Sequence, residues 1–164
     1  MEHVLRPLNE TDLPALAAIF NHYAVNSPAA FFEQPLPPAF LAKLGESTAG
    51  LPFLVAEAGG RVAGFGLLRP HHPSPVFART AEIAYFLAPE QTRRGLGSRI
   101  LAALEEAAWA RGIDCLLACI ASENQASLGF HARHGFQRCA ELRHIGRKFG
   151  RDFSVVYMQK FLEG

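Results

Sequence analysis

The stretch from Glu82 to Gly97 constrains most strongly what this chain can fold into. Its apolar run, Ile83 to Leu87, is rich in aromatic and β-branched residues and predicts a buried strand that Pro89 ends. A basic turn with two glycines follows, and a helical pattern from Ser98 to Arg111 comes directly after it. The first N–H groups of a helix have no intrahelical partner and carry the positive end of its dipole. The sequence therefore predicts an anion-binding site at this turn.

Two familiar phosphate-binding motifs do not fit the turn. A P-loop requires a lysine directly after its last glycine, and the residue after Gly97 is Ser98. A dinucleotide-binding fingerprint requires a third glycine at the position of Ile100. The turn instead resembles that of the GNAT acetyltransferases, which hold the pyrophosphate of coenzyme A. A block from Asn124 to His131, followed by Gly135-Phe136, resembles the second GNAT signature and strengthens this interpretation.

Within that superfamily, the chain resembles the phosphinothricin and methionine sulfone acetyltransferases over nearly its whole length. The stretches that carry the resemblance are Ile19-Phe20-Asn21, Phe31 to Pro35, Thr80-Ala81-Glu82 and Gly146 to Gly150. The resemblance implies an α+β chain with the GNAT fold, in which a central mixed, mostly antiparallel sheet with splayed middle strands carries helices on both faces. It also implies acetyl-CoA as the co-substrate, a small amino-acid-like molecule as the acetyl acceptor, and a homodimer.

Composition and length limit the classes of partner. A chain of 164 residues fits one domain, spanning residues 1–164, and can bury a core. Its formal net charge of +1 does not favour a nucleic acid or an anionic membrane as a partner. No apolar run approaches the ~20 residues that span a bilayer. The N-terminal residues lack a signal-peptide core, which predicts a cytoplasmic location.

Neither disulfide bonding nor metal binding is expected. The three cysteines, Cys115, Cys119 and Cys139, are too few and too scattered for a disulfide framework. Cys115 and Cys119 lie in an apolar, strand-like run and are interpreted as buried thiols. His71 and His72 could ligate a metal, but adjacent histidines in a proline-rich loop are more often solvated. We therefore expect no metal site.

Periodicity and turn signals predict the order of the helices and strands. Gly59-Gly60 between two apolar runs predicts a hairpin of the primed-turn type. Gly64 and Gly66 in the second run predict either a close backbone approach or a bulge. The near-continuous apolar run from Ile113 to Ile120 predicts a central strand covered on both faces. The other predicted elements are strands at Val4 to Pro7, Thr80 to Leu87, Gly135 towards Leu142 and Arg151 to Leu162, and helices at Thr11 to Tyr23, Ala39 to Leu44, Ser98 to Arg111 and from Ser122 to Ala126 onwards.

Glu82 and His131 are the candidate catalytic residues. A glutamate at the head of so apolar a strand is costly unless paired or functional, so Glu82 is either a general base or a carboxylate facing solvent. Its Thr80-Ala81-Glu82 context resembles that of the phosphinothricin-type general base. His131 stands where many GNAT enzymes place a tyrosine that protonates the departing thiolate; otherwise it would pair with a backbone carbonyl. His134, one turn later, is interpreted as a surface residue.

The resemblance also implies which residues hold acetyl-CoA. Asn124 and Ser127 would contact its pantetheine and phosphate arm, and Arg93 and Arg94 would face the pyrophosphate unless one is a solvated charge. Thr92 departs from the family pattern, which has Gln or Arg there, although threonine can still donate its hydroxyl and its N–H. The predicted set is Tyr85, Phe86, Leu87, Thr92, Arg93, Arg94, Gly95, Leu96, Gly97, Ser98, Asn124 and Ser127.

The predicted acceptor pocket combines aromatic walls with an arginine. It consists of Phe31, Phe32, Glu33, Arg69, Phe77 and Arg79, which lie in stretches that bind substrate in the related enzymes. An arginine fork can hold the carboxylate of a small amino acid bidentately. The loop from Pro70 to Ala78 is shorter and richer in proline than the family pattern, so either Arg69 or Arg79 could be that arginine.

Two other functions are compatible with the same resemblance. One is acetyl transfer to a different amine, such as a polyamine or a protein N-terminus. A polyamine site would need an acidic cluster, whereas the region around Arg69 and Arg79 is basic. The other is a non-catalytic sensor that binds coenzyme A, which the presence of both proton-transfer candidates disfavours.

Overall fold

A seven-stranded sheet carries the functional elements in the computed structural model, which describes residues 2–163. Its strands are β1 (His3–Pro7), β2 (Phe53–Ala58), β3 (Arg61–Pro70), β4 (Thr80–Leu87), β5 (Cys115–Ala121), β6 (Gln137–Lys148) and β7 (Arg151–Phe161). The helices are α1 (Leu13–Asn26), α2 (Pro38–Glu46), α3 (Leu96–Ala110) and α4 (Gln125–Arg133). Short 3₁₀ turns lie at Glu10–Asp12, Pro75–Phe77 and Pro89–Gln91. No helix of the described range is long and apolar enough to cross a membrane.

The middle of the sheet is splayed. The strand order is β1-β2-β3-β4-β5-β7-β6, and every neighbouring pair is antiparallel except β4 and β5. β3 pairs with β4 from Ala81 to Leu87, whereas β5 pairs with β4 only from Thr80 to Glu82. The backbone of β4 beyond Glu82 therefore separates from β5. This mixed, mostly antiparallel sheet with splayed middle strands confirms the predicted fold.

Helices cover the two faces of the sheet and enclose separate cores. On one face, α1 and α2 bury a core that contains Phe65 of β3. On the other face, α3 buries Ile100 and Leu104 against the sheet. Side chains alternate along a strand, so Glu82 shares its face with Phe86, which packs against the α1 side. Glu82 therefore faces the α1 side, opposite the face that α3 covers.

Helix α3 approaches β3 very closely at Gly66. A Cβ built on this glycine would lie 2.5 Å from Cγ2 of Ile100 and 3.1 Å from Cδ1 of Leu104. The β2–β3 register shifts between Ala56 and Glu57, where Ala63 of β3 is skipped, so the predicted bulge lies directly beside Gly64. Gly66 thus provides the close approach that was one of its two predicted roles, and it sets the height of α3 above the sheet.

Two predicted glycine signals are present as left-handed backbone. Gly59 and Gly60 have φ values of 58° and 76°, as the primed turn between β2 and β3 requires. Gly112, with φ 77°, follows the end of α3 as a glycine C-cap should. Both signals were predicted correctly because they depend on local backbone sterics alone.

Several element boundaries differ from the prediction. α1 begins at Leu13, because Asn9 and Asp12 form a capping box around a 3₁₀ turn and replace Thr11 as the cap. α3 begins at Leu96, two residues early, because left-handed Gly95 already serves as its N-cap. β6 extends to Lys148, since its hairpin partner β7 is long enough to pair with it that far.

The prediction that β5 is covered on both faces was wrong. Leu117 and Cys119 are partly exposed on the face that Glu82 shares, while Leu116 and Ile120 are buried on the other. The core beneath α1 and α2 contains no β5 residue. The face of the sheet beside Glu82 is therefore open at β5.

Candidate active site

Glu82 lies at the point where β4 and β5 part. It is the last β4 residue that pairs with β5, opposite Leu117. Its side chain is 24% exposed, and its two oxygens lie 3.5 Å from Nη2 of Arg69 and 3.1 Å from Nδ1 of His71. A partly exposed carboxylate at a gap between strands can reach a molecule that enters the gap. The position suits a group that takes a proton from a bound ligand.

The two candidate arginines lie in different surroundings. Arg69 lies opposite Glu82 in the β3–β4 register and touches it through Nη2 alone. Arg79 forms two hydrogen bonds with Asp114, at 2.9 and 2.6 Å, beside the first residues of β4 and β5. The fork of Arg79 is thus already occupied by a carboxylate, whereas Arg69 can still offer donors to a ligand near Glu82.

The turn before α3 has the geometry of an anion-binding site. Gly95 is the N-cap residue with φ 81°, and no side chain caps the helix. The first N–H groups of α3 are therefore left for a ligand or solvent. Arg93, with φ 61°, and Arg94 are both exposed beside them. Backbone donors and two exposed arginines therefore adjoin one another at this turn.

The side chains around this turn leave room for a phosphate. A Cβ built on Gly97 would meet only ordinary contacts, the nearest being the Phe130 ring at 3.5 Å. The packing of the chain does not itself require glycine there, which fits a close approach by a ligand. Thr92 is less free than expected, because its hydroxyl and its N–H both point at the Pro89 carbonyl oxygen, at 2.9 and 3.4 Å.

Ser98, in the first turn of α3, is held by His134. The serine Oγ lies 2.9 Å from Nε2 of His134, and Nδ1 of that ring lies 2.8 Å from the Phe130 carbonyl oxygen. A carbonyl can only accept, so Nδ1 carries a proton and Nε2 of the neutral ring accepts from the serine hydroxyl. His134, interpreted from the sequence as a surface residue, instead joins α4 to the anion-binding turn.

Helix α4 positions Asn124, Ser127 and His131 along one side. Oδ1 of Asn124 accepts the Ser127 N–H at 3.2 Å and caps the helix. One turn later, Nδ1 of His131 donates to the Ser127 carbonyl oxygen at 2.7 Å. The His131 ring also stacks on Tyr85 of β4, with centroids 5.5 Å apart. The predicted pantetheine-contacting residues and the predicted acid therefore come together beside β4.

The hydrogen bonds of His131 define its tautomer. Because Nδ1 donates to the Ser127 carbonyl, Nε2 of the neutral ring accepts from the Tyr85 hydroxyl. Burial lowers the pKa of His131 and raises the pKa of Tyr85, so both groups favour their neutral forms. In this state His131 has no proton on Nε2 to give, and Tyr85 directs its own proton at the ring.

Aromatic residues form one wall of a cavity of about 380 Å³. The cavity is lined by Phe31, Phe32 and Glu33, from the segment between α1 and α2, and by Lys148 and Phe153, from β6 and β7. Phe32 contacts Phe20 at 5.8 Å, and Phe20 contacts Phe86 of β4 at 5.1 Å. Ring contacts thus link the wall to the face of β4 that carries Glu82, although Glu82, Arg69, Phe77 and Arg79 do not themselves line this cavity.

Two predicted acceptor residues have partners inside the protein. Oε1 of Glu33 accepts the N–H of Phe149 at 2.5 Å, so this carboxylate is partly engaged. Phe77 lies on the loop between β3 and β4, with its ring 5.7 Å from that of His71 and 4.9 Å from that of His72. Phe77 therefore packs beside the histidine that touches Glu82.

Two residues of the site had no role in the sequence interpretation. His71 is exposed, as its interpretation as solvated predicts, but it also contacts Glu82. Lys148 lies in the Gly146 to Gly150 stretch, to which the sequence assigns a resemblance to the family but no role. Both depend on tertiary contacts, and no local pattern predicts them. Within the described residues, no three His, Cys, Asp or Glu side chains form a cluster that could hold a metal.

Comparison with known proteins agrees with this geometry. The family model described as the acetyltransferase (GNAT) family matches residues 16–136. An L-methionine sulfoximine/L-methionine sulfone acetyltransferase of Pseudomonas aeruginosa is 34% identical over 99% of this chain and 96% of its own length.

Solved structures support the same grouping. A phosphinothricin acetyltransferase from Sinorhizobium meliloti, determined with AcCoA, superimposes with a TM-score of 0.91 at 25% identity and covers 99% of this chain and 89% of its own. A ribosomal-protein-alanine N-acetyltransferase from Brucella melitensis superimposes with a TM-score of 0.90 at 35% identity, covering 97% of this chain and 99% of its own. The fold is thus similar to enzymes with more than one kind of acceptor.

Proposed function

The chain belongs to the acetyltransferase (GNAT) family, and from that premise we propose that it transfers an acetyl group from acetyl-CoA to the primary amine of a small amino-acid-like molecule. A methionine sulfone-like or phosphinothricin-like acceptor fits best, because the cavity has an aromatic wall and polar groups at its edge. Direct transfer in a ternary complex, with both substrates held in contact, supplies much of the rate acceleration.

The observation that carries the proposal is the pairing of Arg69 with Glu82. Their side chains meet across β3 and β4, and the Arg69 side chain is 42% exposed, so its remaining donors can bind a carboxylate. In an α-amino acid the amine and the carboxylate are attached to one carbon. An acceptor whose carboxylate lies on Arg69 therefore brings its amine within reach of Glu82.

Glu82 has the role of general base in this proposal. An amine arrives largely as an ammonium, and Glu82 takes one of its protons so that the nitrogen lone pair can attack. Arg69 and His71 hold the Glu82 carboxylate in position. Beyond Glu82, β4 pairs with β3 but no longer with β5, so its backbone N–H groups on the β5 side are available to donate to the oxyanion that forms at the acetyl carbonyl.

The anion-binding turn would hold acetyl-CoA, whose thioester supplies the activated acetyl group. The first N–H groups of α3, with Arg93 and Arg94, would bind the pyrophosphate, and Asn124 and Ser127 would contact the pantetheine arm. His131 is the predicted proton donor to the thiolate. Its tautomer requires a proton at Nε2 first, so we expect its contribution to be smaller than that of Glu82.

Homodimerisation and a cytoplasmic location remain predictions. The dimer is supported by the exposed edge strand β6, on which Leu142 and Ile145 are 43% and 57% exposed. Sedimentation velocity would test the dimer, and fractionation of the source cells would test the location. A monomer at micromolar concentration would contradict the first, and recovery in a membrane or secreted fraction the second.

A protein N-terminus is the second candidate acceptor. The Brucella protein that shares 35% identity is titled a ribosomal-protein-alanine N-acetyltransferase. An N-terminal residue within a peptide lacks the free α-carboxylate that Arg69 would bind, which favours the free amino acid.

An acceptor screen tests the proposal. The release of coenzyme A thiol from acetyl-CoA would be followed with L-methionine sulfone, phosphinothricin, spermidine and an alanine-terminated peptide. We expect kcat/KM for one of the two amino acids to exceed that for spermidine and the peptide by about tenfold or more, because only they offer a carboxylate beside the amine. Faster turnover of the peptide or spermidine would overturn the acceptor class, and no turnover of any amine would favour a sensor.

A further inference from the structure

We propose that Lys148 is a positioning residue that fixes the aromatic wall of the acceptor cavity by clamping the segment between α1 and α2 to the β6–β7 hairpin. This inference rests on the proposed function, because it assigns the wall of Phe31 and Phe32 to the acceptor. It concerns binding of the acceptor and leaves the binding of acetyl-CoA unaffected.

Lys148 is a buried ammonium whose partners are all backbone carbonyls. Its Nζ donates to the carbonyl oxygens of Ser27 and Ala30, both at 2.6 Å, and of Tyr23 at 3.4 Å. The residue is 8% exposed, and lysine is rarely buried to that extent unless it is paired. Three donors meet three acceptors, so the group is saturated.

The clamp holds the C-terminal end of α1. Ser27 is the C-cap residue of that helix, and Tyr23 lies in its last turn. Carbonyls at a helix C-terminus lack intrahelical partners and carry the negative end of the dipole, so a cation is favourable there. Lys148 supplies that cation from a strand that is more than 120 positions away in the chain.

A second tie lies beside the first. The N–H of Phe149 donates to Oε1 of Glu33 at 2.5 Å, and the Phe31 ring stacks on Phe153 with centroids 5.7 Å apart and planes at 18°. The hairpin therefore forms hydrogen bonds with this segment at Ser27, Ala30 and Glu33. At the far end, Asn21 exchanges two hydrogen bonds of 2.8 Å with the backbone of Leu36.

These ties matter because the segment has little burial of its own. Phe31, Phe32, Glu33 and Gln34 are all exposed, and no helix or strand includes them. Segments with few buried contacts open at low free-energy cost unless tertiary bonds hold them. Loss of the ammonium would remove the donor to the Ser27 and Ala30 carbonyls, whereas the Tyr23 carbonyl would keep the Ser27 N–H, and it would release the near end of the wall.

The test compares Lys148→Met, which keeps an unbranched side chain, with Lys160→Met as a matched control. Lys160 is partly buried, with 24% of its side chain exposed, and it pairs with Glu105 at 2.7 Å, away from the wall. We expect Lys148→Met to raise the acceptor KM by roughly tenfold, since misplaced positioning groups cost about that much or more. The kcat and the acetyl-CoA Kd should each stay within about threefold, and Lys160→Met should leave all three values near those of the parent.

Hydrogen exchange separates this role from a general loss of stability. In Lys148→Met, amides of residues 28–36 should exchange faster while those of β4 and α3 keep the rates of the parent. Faster exchange with an unchanged acceptor KM would overturn the proposal, as would an equal loss of kcat, acetyl-CoA binding and thermal midpoint. If Lys148→Met does not fold, Glu33→Gln weakens the second tie and should raise the acceptor KM in the same direction.

The acceptor screen of the parent, together with the Lys148→Met measurements, distinguishes failure of the proposed function from failure of the Lys148 clamp. If the parent acetylates none of the amino acids but does acetylate another amine, the proposed acceptor class fails. The clamp is then judged by the KM of that amine together with the exchange of residues 28–36.

Discussion

Nδ1 of His71 lies 3.1 Å from Oε2 of Glu82. The contact places a histidine of the β3–β4 loop against the candidate base, while Arg69 touches the other carboxylate oxygen. The carboxylate is therefore held from both sides and cannot rotate freely. A base with one fixed orientation needs less reorganisation before it takes a proton.

His71→Ala should lower kcat/KM for the acceptor by roughly three- to thirtyfold, because the carboxylate would lose one of its two supports. His72→Ala is the matched control, since the ring of His72 contacts Phe77 and accepts the Ser74 N–H instead of touching Glu82. Steady-state kinetics on both variants would check this. Equal effects of the two substitutions would assign the loss to the loop as a whole.

Glu82→Gln should lower kcat by roughly two to four orders of magnitude, because the amide cannot take the proton of the ammonium. The acetyl-CoA Kd from calorimetry should remain near that of the parent. Glu141→Gln, which removes an exposed carboxylate of β6, is the control. A turnover number within about threefold of the parent at saturating substrate would rule out the role of base.

Arg69→Gln should raise the acceptor KM and remove the preference for a carboxylate over the corresponding carboxamide. That preference should correspond to about 1.5–3 kcal/mol in the parent, as for a charge-assisted hydrogen bond. Arg79→Gln should keep the preference, because Arg79 is paired with Asp114. Both variants would be assayed with the free acid and the amide side by side. Loss of discrimination in Arg79→Gln alone would reverse the assignment.

Gly97→Val should weaken the binding of acetyl-CoA by about tenfold or more, because its methyl groups occupy the approach to the first turn of α3. The fold should persist, since even the nearest contact of an added Cβ is an ordinary 3.5 Å. Circular dichroism and calorimetry on the same preparation would check both statements. Parent-like affinity in a folded variant would place the pyrophosphate elsewhere.

Acidification should reveal the buried His131. Burial lowers the pKa of His131 below its ordinary 6.5 in the folded chain. As the pH falls below 6.5, the unfolded chain therefore binds a proton at this residue more readily than the folded chain does. The stability that the neutral ring contributes is present above about pH 6.5 and is lost as the pH falls through the lowered pKa. Urea unfolding between pH 8 and 5 should therefore give a shallower decline for His131→Asn than for the parent. The exposed His144→Asn should keep the slope of the parent, and equal slopes for all three would contradict the burial effect.

Local signals account for what the sequence predicted well. The Gly59-Gly60 turn, the Gly112 cap and the strand that ends before Pro89 are set by backbone sterics of a few residues. The two-glycine turn before α3 also belongs to this class, although the helix begins two residues before the predicted Ser98 because left-handed Gly95 is its N-cap.

Long-range contacts account for what could not be predicted. The partner of Arg79 is Asp114, 35 positions later, so only the fold shows that this arginine is occupied. Lys148 and His134 likewise have partners far away in the sequence: Lys148 contacts the end of α1, and His134 contacts Ser98 of α3. Charged and polar side chains whose partners lie far away in the sequence follow no periodic pattern. Only the arrangement of the strands and helices in the fold brings these partners together.

The contact between Gly66 and α3 affects how variants of this protein would be interpreted. Any side chain at this position would collide with Ile100 and displace α3, the helix whose first turn is the proposed anion-binding site. A genetic screen for loss of acetyl-CoA binding would therefore recover substitutions at position 66 beside those at Gly97. A survey of such alleles would then assign Gly66 to the ligand site. Gly66 lies on a buried strand, however, and would affect ligand binding only indirectly, by displacing α3.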